Sequence, residues 1–248
     1  VQCEMGGKNA VILLEDADLD KALGGIVQGA FGSTGQRCTA TSRLIVEEGI
    51  YDDCMERLIQ QTSKLKIGDG LKPDTDVGPL ASLDQYETVA NYIGIGSEEG
   101  AKLVHGGKTL SGGVYDAGYY VEPTIFADVE PHMRIAQEEI FGPVLTVFKA
   151  RDLDDAIHIS NNVKFGLSSS VYTKDLSQAF KYVNTAEAGM VHINAPTLGG
   201  EVHLPFGGLK SSGVGHREQG VAAVEFFSEI ITVYIDHGAQ PKEQVKFI

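Results

Sequence analysis

Val11-Ile12-Leu13-Leu14-Glu15-Asp16-Ala17-Asp18-Leu19, continuing through Phe31 to Arg43-Leu44-Ile45-Val46, is the stretch that decides the fold. Its four consecutive apolar residues form a strand-like run. Glu15, Asp16 and Asp18 then offer N-cap candidates, and residues 19–31 read as a helix rich in alanine and glycine. Residues 43–46 are strand-like again. A strand, a helix and a second strand within about forty residues is the signature of parallel pairing through a helical crossover.

Outward from this unit the alternation repeats. Residues 50–65 carry apolar side chains at helical spacing (Ile50, Cys54, Leu58, Ile59). A turn-rich stretch runs over 68–79, and a helix is expected over about 83–93. Residues 106–120, rich in Gly, Ser and Tyr, read as a hairpin or surface loop leading into a strand at 123–126. Strands follow at 144–148, 168–172 and 190–193, separated by helices at 153–159 and 176–183. The chain closes with a glycine-rich segment (205–215), a helix near 221–227 and a strand over 230–235. The expected fold class is α/β, a three-layer α/β/α sandwich with a mostly parallel sheet covered on both faces. No repeat or flexible linker interrupts it, so a single domain is expected.

Composition narrows the function. With 20 basic and 34 acidic residues the net charge is −14, which repels phosphate backbones and anionic membranes, so neither nucleic acid nor membrane is an expected partner. No apolar run approaches the ~20 residues of a bilayer span. Three cysteines without a CxxC pair argue against a disulfide scaffold or a zinc ribbon, and point to a reducing, cytoplasmic setting. The seven histidines never form HxxxH or HxH, so no metal site is expected. The chain opens on Val1 rather than methionine, which reads as a piece of a longer polypeptide.

Cys38 is the residue with the clearest chemistry. It sits in Gly32-Ser33-Thr34-Gly35-Gln36-Arg37-Cys38-Thr39-Ala40, among small residues that let a substrate approach. The Arg37 cation, and backbone N–H groups of a helix beginning near Thr39, are expected to lower its pKa and make it nucleophilic. The plain alternative is a small buried hydrophobe, which is also the reading of Cys54. Cys3 reads as packing. Gly94-Ile95-Gly96-Ser97 ends a helix instead of opening one and lacks a third glycine, so it is no dinucleotide fingerprint.

Four segments in order carry a family resemblance. Glu4-Met5-Gly6-Gly7-Lys8-Asn9, Gly35-Gln36-Arg37-Cys38, Glu138-Glu139-Ile140-Phe141-Gly142-Pro143-Val144 and Pro205-Phe206-Gly207-Gly208-Leu209-Lys210-Ser211-Ser212-Gly213 resemble the signatures of the NAD(P)-dependent aldehyde dehydrogenase superfamily. The resemblance covers the whole chain but only the family's second half. It implies the catalytic domain over 1–229 and a C-terminal oligomerisation strand and tail over 230–248, giving a homodimer or homotetramer. It also implies that the NAD(P)-binding domain lies outside this chain.

The resemblance gives the residues their expected roles. Cys38 attacks a small-molecule aldehyde, hydride passes to NAD or NADP, and Glu4 activates the water that hydrolyses the thioester, its flanking glycines letting the side chain swing. Glu139 accepts from the nicotinamide ribose hydroxyls, Phe141 packs beside the nicotinamide ring, and Gln85 also contacts ribose. The family's lysine three residues beyond Gln85 is replaced by Thr88. Arg37, Thr39, Asn194 and Thr197 are expected on the substrate side, with turn chemistry the alternative for Asn194 and Thr197, and His203 near the same entrance. The segments Gly35-Gln36-Arg37-Cys38-Thr39-Ala40-Thr41-Ser42-Arg43 and Pro196-Thr197, with His216-Arg217-Glu218-Gln219-Gly220, look somewhat like 2-oxoglutarate semialdehyde dehydrogenases, and Arg37 is expected to meet a distal carboxylate or, more plainly, to be a solvated neighbour of the cysteine. Two alternatives stay open: a CoA-acylating semialdehyde dehydrogenase, which Glu4 argues against, and a truncated structural or oligomerising module.

Overall fold

The computed structural model describes residues 1–237. At its centre is a seven-stranded sheet built from β1 (Asn9–Leu13), β2 (Thr41–Glu47), β3 (Lys102–His105), β4 (Thr124–Ala127), β5 (Val144–Ala150), β6 (Ser168–Tyr172) and β7 (Met190–Ile193). Their spatial order is β7-β6-β1-β2-β5-β4-β3. All pairings are parallel except the edge pair β3–β4.

Side-chain alternation along the strands creates two cores. Val11 and Leu13 of β1 face α1 (Leu19–Phe31) and α2 (Tyr51–Thr62), together with Leu23, Ile26, Cys54 and Leu58. Ala10 and Ile12 face the other layer, α3 (Leu83–Glu98), α4 (Leu153–Asn161) and α5 (Leu176–Thr185), through Val89, Ile157 and Tyr182. Every residue of β1 is buried, as a parallel strand covered on both faces requires. The three-layer α/β/α sandwich is therefore the observed fold.

Helix starts follow their caps. Asp18 accepts from the Lys21 N–H at 3.2 Å, Ser82 from Gln85 at 3.2 Å and Asp152 from Asp155 at 2.9 Å. Three expectations differ from the structure. Residues 94–97 lie inside α3, which runs on to Glu98. The strand β3 was unforeseen, because half-exposed Lys102-Leu103-Val104-His105 lacks a buried apolar run. The strand expected over 230–235 is absent: these residues have no regular structure, and Ile230, Ile231 and Tyr234 are exposed. A strand needs a hydrogen-bonded neighbour, and the single chain offers this segment none. The rest of the expected tail, 238–248, lies outside the described residues.

Candidate active site

The site forms where the leading edges of β1 and β2 meet two loops. After α1 the backbone enters the left-handed region at Ser33, Thr34 and Gly35 (φ 52°, 60° and 66°) and reaches Cys38 just before β2. A Cβ at Gly35 would overlap the Gly142 carbonyl, so the cysteine loop lies directly on the loop that follows Glu139. Residues 37–39 form a turn and no helix begins at Thr39, contrary to expectation.

Three side chains fix this turn. Asn9, at the start of β1, donates from Nδ2 to the carbonyls of Cys38 and Ala40, both at 2.8 Å, and accepts from the Ser168 N–H at 3.0 Å. Buried Thr197 donates to the Thr39 carbonyl at 2.7 Å and bonds Thr41 Oγ1 at 2.8 Å. Gln36 bridges to Pro79 and Ala81 across the site wall. Neither Asn9 as a clamp nor Thr197 as a brace was foreseen. Both act across long separations in sequence, so local patterning carries no trace of them.

The Gly6–Gly7 segment joins the remaining groups. Gly7 N–H donates to Glu139 Oε1 at 2.8 Å. A Cβ at Gly6 would overlap the Glu139 carboxylate, and one at Gly7 would lie 2.7 Å from the Cys38 carbonyl. The two glycines thus serve close packing against Glu139 and Cys38 rather than freedom for Glu4. Glu4 is held by pairing of Cys3–Glu4 with Gly213–Val214, and by the bond from Met5 N–H to the Ser212 carbonyl at 2.9 Å.

Charges in this small region act on one another. Cys38 is exposed as a residue, but its thiol is partly desolvated by its surroundings, which push its pKa up. Burial is the largest cause; the Thr39 and Cys38 N–H groups oppose it, while the Glu4 and Glu139 carboxylates reinforce it. The expected lowering by Arg37 is absent. Arg37 is exposed and makes no ion pair among the described residues. Glu4 is raised by burial and by Glu218, against Arg217, two neighbours that sequence reading gave no role beside it. Glu139 is raised by burial, against the Gly7 N–H and Lys8.

Glu139 Oε2 makes no protein hydrogen bond among the described residues, so an acceptor remains open. Phe141 stands in the left-handed region (φ 56°) and is 38% exposed, so its ring is not core. Gln85 spends its amide on the carbonyls of Ile140 and Phe141, at 2.8 and 2.9 Å, and so props the Phe141 loop. Asn194 likewise spends both side-chain atoms on the Thr173 backbone, at 3.0 and 2.8 Å, which is turn chemistry. His203 is exposed. Glu138 faces away from Glu139, bonded to Arg134 and to Tyr92 Oη.

The aldehyde dehydrogenase family model matches residues 1–233. The chain belongs to that family. It is 49% identical over 234 residues to an α-ketoglutaric semialdehyde dehydrogenase of Bacillus subtilis, covering 94% of this chain and 48% of the relative. A betaine aldehyde dehydrogenase of Mesorhizobium japonicum is 45% identical over 235 residues, 95% of this chain and 48% of that one. The solved structure of an NAD-dependent aldehyde dehydrogenase from Sinorhizobium meliloti superimposes with a TM-score of 0.92 at 39% identity, covering 99% of this chain and 48% of its own. The chain thus spans about half the length of the relatives it matches.

Proposed function

We propose that the protein oxidises an aldehyde to a carboxylic acid with NAD or NADP, through a thioester on Cys38. In this reading residues 1–229 are the catalytic domain and the adenosine side of the cofactor is bound by the part of the relatives that this chain does not span. The observation that carries it is the convergence of Cys38, Glu4 and Glu139 around Gly6–Gly7.

The Cys38 thiolate attacks the carbonyl carbon; a C–S bond forms and the π pair moves to oxygen. The Thr39 and Cys38 N–H groups facing the sulfur favour the thiolate. The open oxygen of Glu139 suits a ribose hydroxyl, and the exposed Phe141 ring suits a flat heterocycle beside it. The bound cofactor supplies the acceptor for the hydride that leaves the tetrahedral carbon. A thioester then remains on Cys38. Glu4, its pKa raised above the ordinary carboxylate value by burial and Glu218, takes a proton from water. The resulting hydroxide attacks the acyl carbon, the C–S bond breaks, and the acid departs with the thiolate restored.

Substrates bearing a carboxylate are favoured. Arg37 presents a cation, unpaired among the described residues, one residue before the nucleophile, and such a group attracts a distal carboxylate and repels a quaternary ammonium. Thr39, on the other side of Cys38, borders the same approach. The exposed, unpaired segment 230–235 is assigned to pairing with a neighbouring subunit, giving a homodimer or homotetramer. Among the described residues no helix is long and apolar enough to cross a membrane.

A panel of aldehydes tests this reading on the full-length protein. Free acid formed without added CoA, with carboxylate-bearing aldehydes ahead of betaine aldehyde, is expected. Arg37→Gln is expected to narrow that preference by about tenfold, the order of one lost ionic contact. A product that requires CoA, or activity that survives Cys38→Ser, overturns it.

A further inference from the structure

Asparagine is disfavoured in strands, yet Asn9 opens β1 and is only 3% exposed. The β1–β2 ladder slips there by one residue, with Asn9 opposite Thr41 and Ala10 opposite Arg43. An irregularity of this kind re-aims a side chain. The Asn9 amide is turned wholly to backbone. Both Nδ2 hydrogens go to carbonyls, those of Cys38 and Ala40 at 2.8 Å each, and Oδ1 accepts from the Ser168 N–H at 3.0 Å.

The turn that carries Cys38 is closed by a bond from the Ala40 N–H to the Arg37 carbonyl at 3.0 Å, which puts Cys38 and Thr39 at its central positions. Two arms divide its other carbonyls. Asn9 holds those of Cys38 and Ala40, and Thr197 holds that of Thr39 at 2.7 Å. Both arms are rooted on Ser168, whose N–H binds Asn9 and whose Oγ donates to the Thr197 carbonyl at 2.8 Å. The Cys38 carbonyl shares one planar trans unit with the Thr39 N–H, so the two point to opposite sides of it. That N–H faces the Cys38 sulfur. Fixing the oxygen therefore aims the hydrogen.

We propose that Asn9 is a positioning residue for the nucleophile, which by gripping the Cys38 carbonyl keeps the Thr39 N–H directed at Cys38 Sγ and so stabilises the thiolate. This rests on the reading of Cys38 as the attacking group. The carboxylates that act on the sulfur, Glu4 and Glu139, both disfavour its ionisation, and the Arg37 side chain is exposed. What favours the anion is the pair of N–H groups of Thr39 and Cys38. The Cys38 N–H belongs to the Arg37–Cys38 peptide, which the turn bond holds. Thr197 sets the next plane, Thr39–Ala40, whose N–H is spent on the Arg37 carbonyl. Only the Asn9 arm therefore bears on a donor to the sulfur.

Alkylation of Cys38 across pH, read by peptide mass spectrometry, reports the thiol without requiring turnover. Asn9→Ser removes both Nδ2 donors. Below the midpoint its alkylation is expected to be about tenfold slower, the order of one lost hydrogen bond to a charged group, with the midpoint displaced upward and the rate at high pH retained. Thr197→Val, which loses a buried bond on the same turn, is expected to lower Tm comparably while leaving the midpoint in place. In the full-length protein the acid limb of the kcat/KM profile should move upward with Asn9→Ser. If that variant fails to fold, Asn9→Gln serves instead: its longer arm displaces the same carbonyl, and the midpoint must again rise. An unmoved midpoint in a folded Asn9 variant, a slowing equal at every pH, or an equal displacement in Thr197→Val overturns the assignment. None of these outcomes bears on whether Cys38 is the nucleophile, which turnover in Cys38→Ser decides separately.

Discussion

Glu4 and Cys38 sit within reach of each other's charge, and that coupling makes their behaviour separable by experiment. In the proposed mechanism Glu4→Gln removes the base without emptying the site. Steady-state turnover is expected to fall by about 10²–10⁴-fold, while the first turnover still releases a burst of reduced cofactor in rapid-mixing absorbance. A proportional loss of burst and turnover would place Glu4 elsewhere in the cycle. The thiol makes a second prediction. Burial and two carboxylates hold Cys38 above the usual thiol range of about 8.5 in the free chain. Alkylation at Cys38, followed by peptide mass spectrometry, should rise with pH and reach its midpoint beyond that value. Glu139→Gln should move the midpoint down, because a negative neighbour is lost. Cys54, buried and pushed up to about 12, provides an unreactive internal control. Sequence reading singles out these two residues because motif chemistry is local. It misjudges the sign of the Cys38 shift because burial of the thiol, the largest cause, and the Glu4 and Glu139 carboxylates come from segments far along the chain, while the Arg37 side chain stays in solvent.

Elements explain which residues are replaceable. Strand β1 delivers Asn9 beneath the cysteine turn, and Gly7 just before it leaves room for the Cys38 carbonyl. Gly7→Ala places a methyl 2.7 Å from that oxygen and 2.9 Å from Asn9 Oδ1. We expect a loss of about 1–3 kcal/mol from such overpacking, or roughly 2–10 °C in Tm by calorimetry for a chain of this size, with a fall in kcat. Unchanged melting and turnover would show that the turn can shift. The buried parallel strands were legible: 168–172 and 190–193 were read with their observed bounds, as was helix 19–31. Edge strand β3 was not, since polar and apolar residues mix where one face meets solvent. The Gln85 amide props the Phe141 loop, a use that only the folded loops disclose, while Asn194 follows the turn-chemistry alternative that its sequence setting left open.

At the scale of the whole molecule, apolar surface concentrates at the C-terminal end. Val221, Val224 and Phe227 in and just after α6 (Gly220–Phe226) are exposed, as are Ile230, Ile231, Val233 and Tyr234. In the proposed reading this strip is the surface that meets a neighbouring subunit. Ending the chain after Glu229 is expected to give monomers or aggregates in multi-angle light scattering. An assembly of unchanged mass would remove this segment from the contact. Composition alone suggests a strand over 230–235, but the structure has none there, because no neighbouring strand within the described residues offers this segment hydrogen bonds.

One peptide unit in the interior links two chemistries. The Gly7 N–H grips Glu139, while the same residue rests against the carbonyl of the nucleophile. A ligand that pulls on the Glu139 carboxylate is therefore expected to shift the sulfur-bearing turn through this one planar unit. A carbon-13 label in the Cys38 carbonyl would act as a strain gauge for whatever docks at Glu139, registering arrival at one station before any reaction begins at the other.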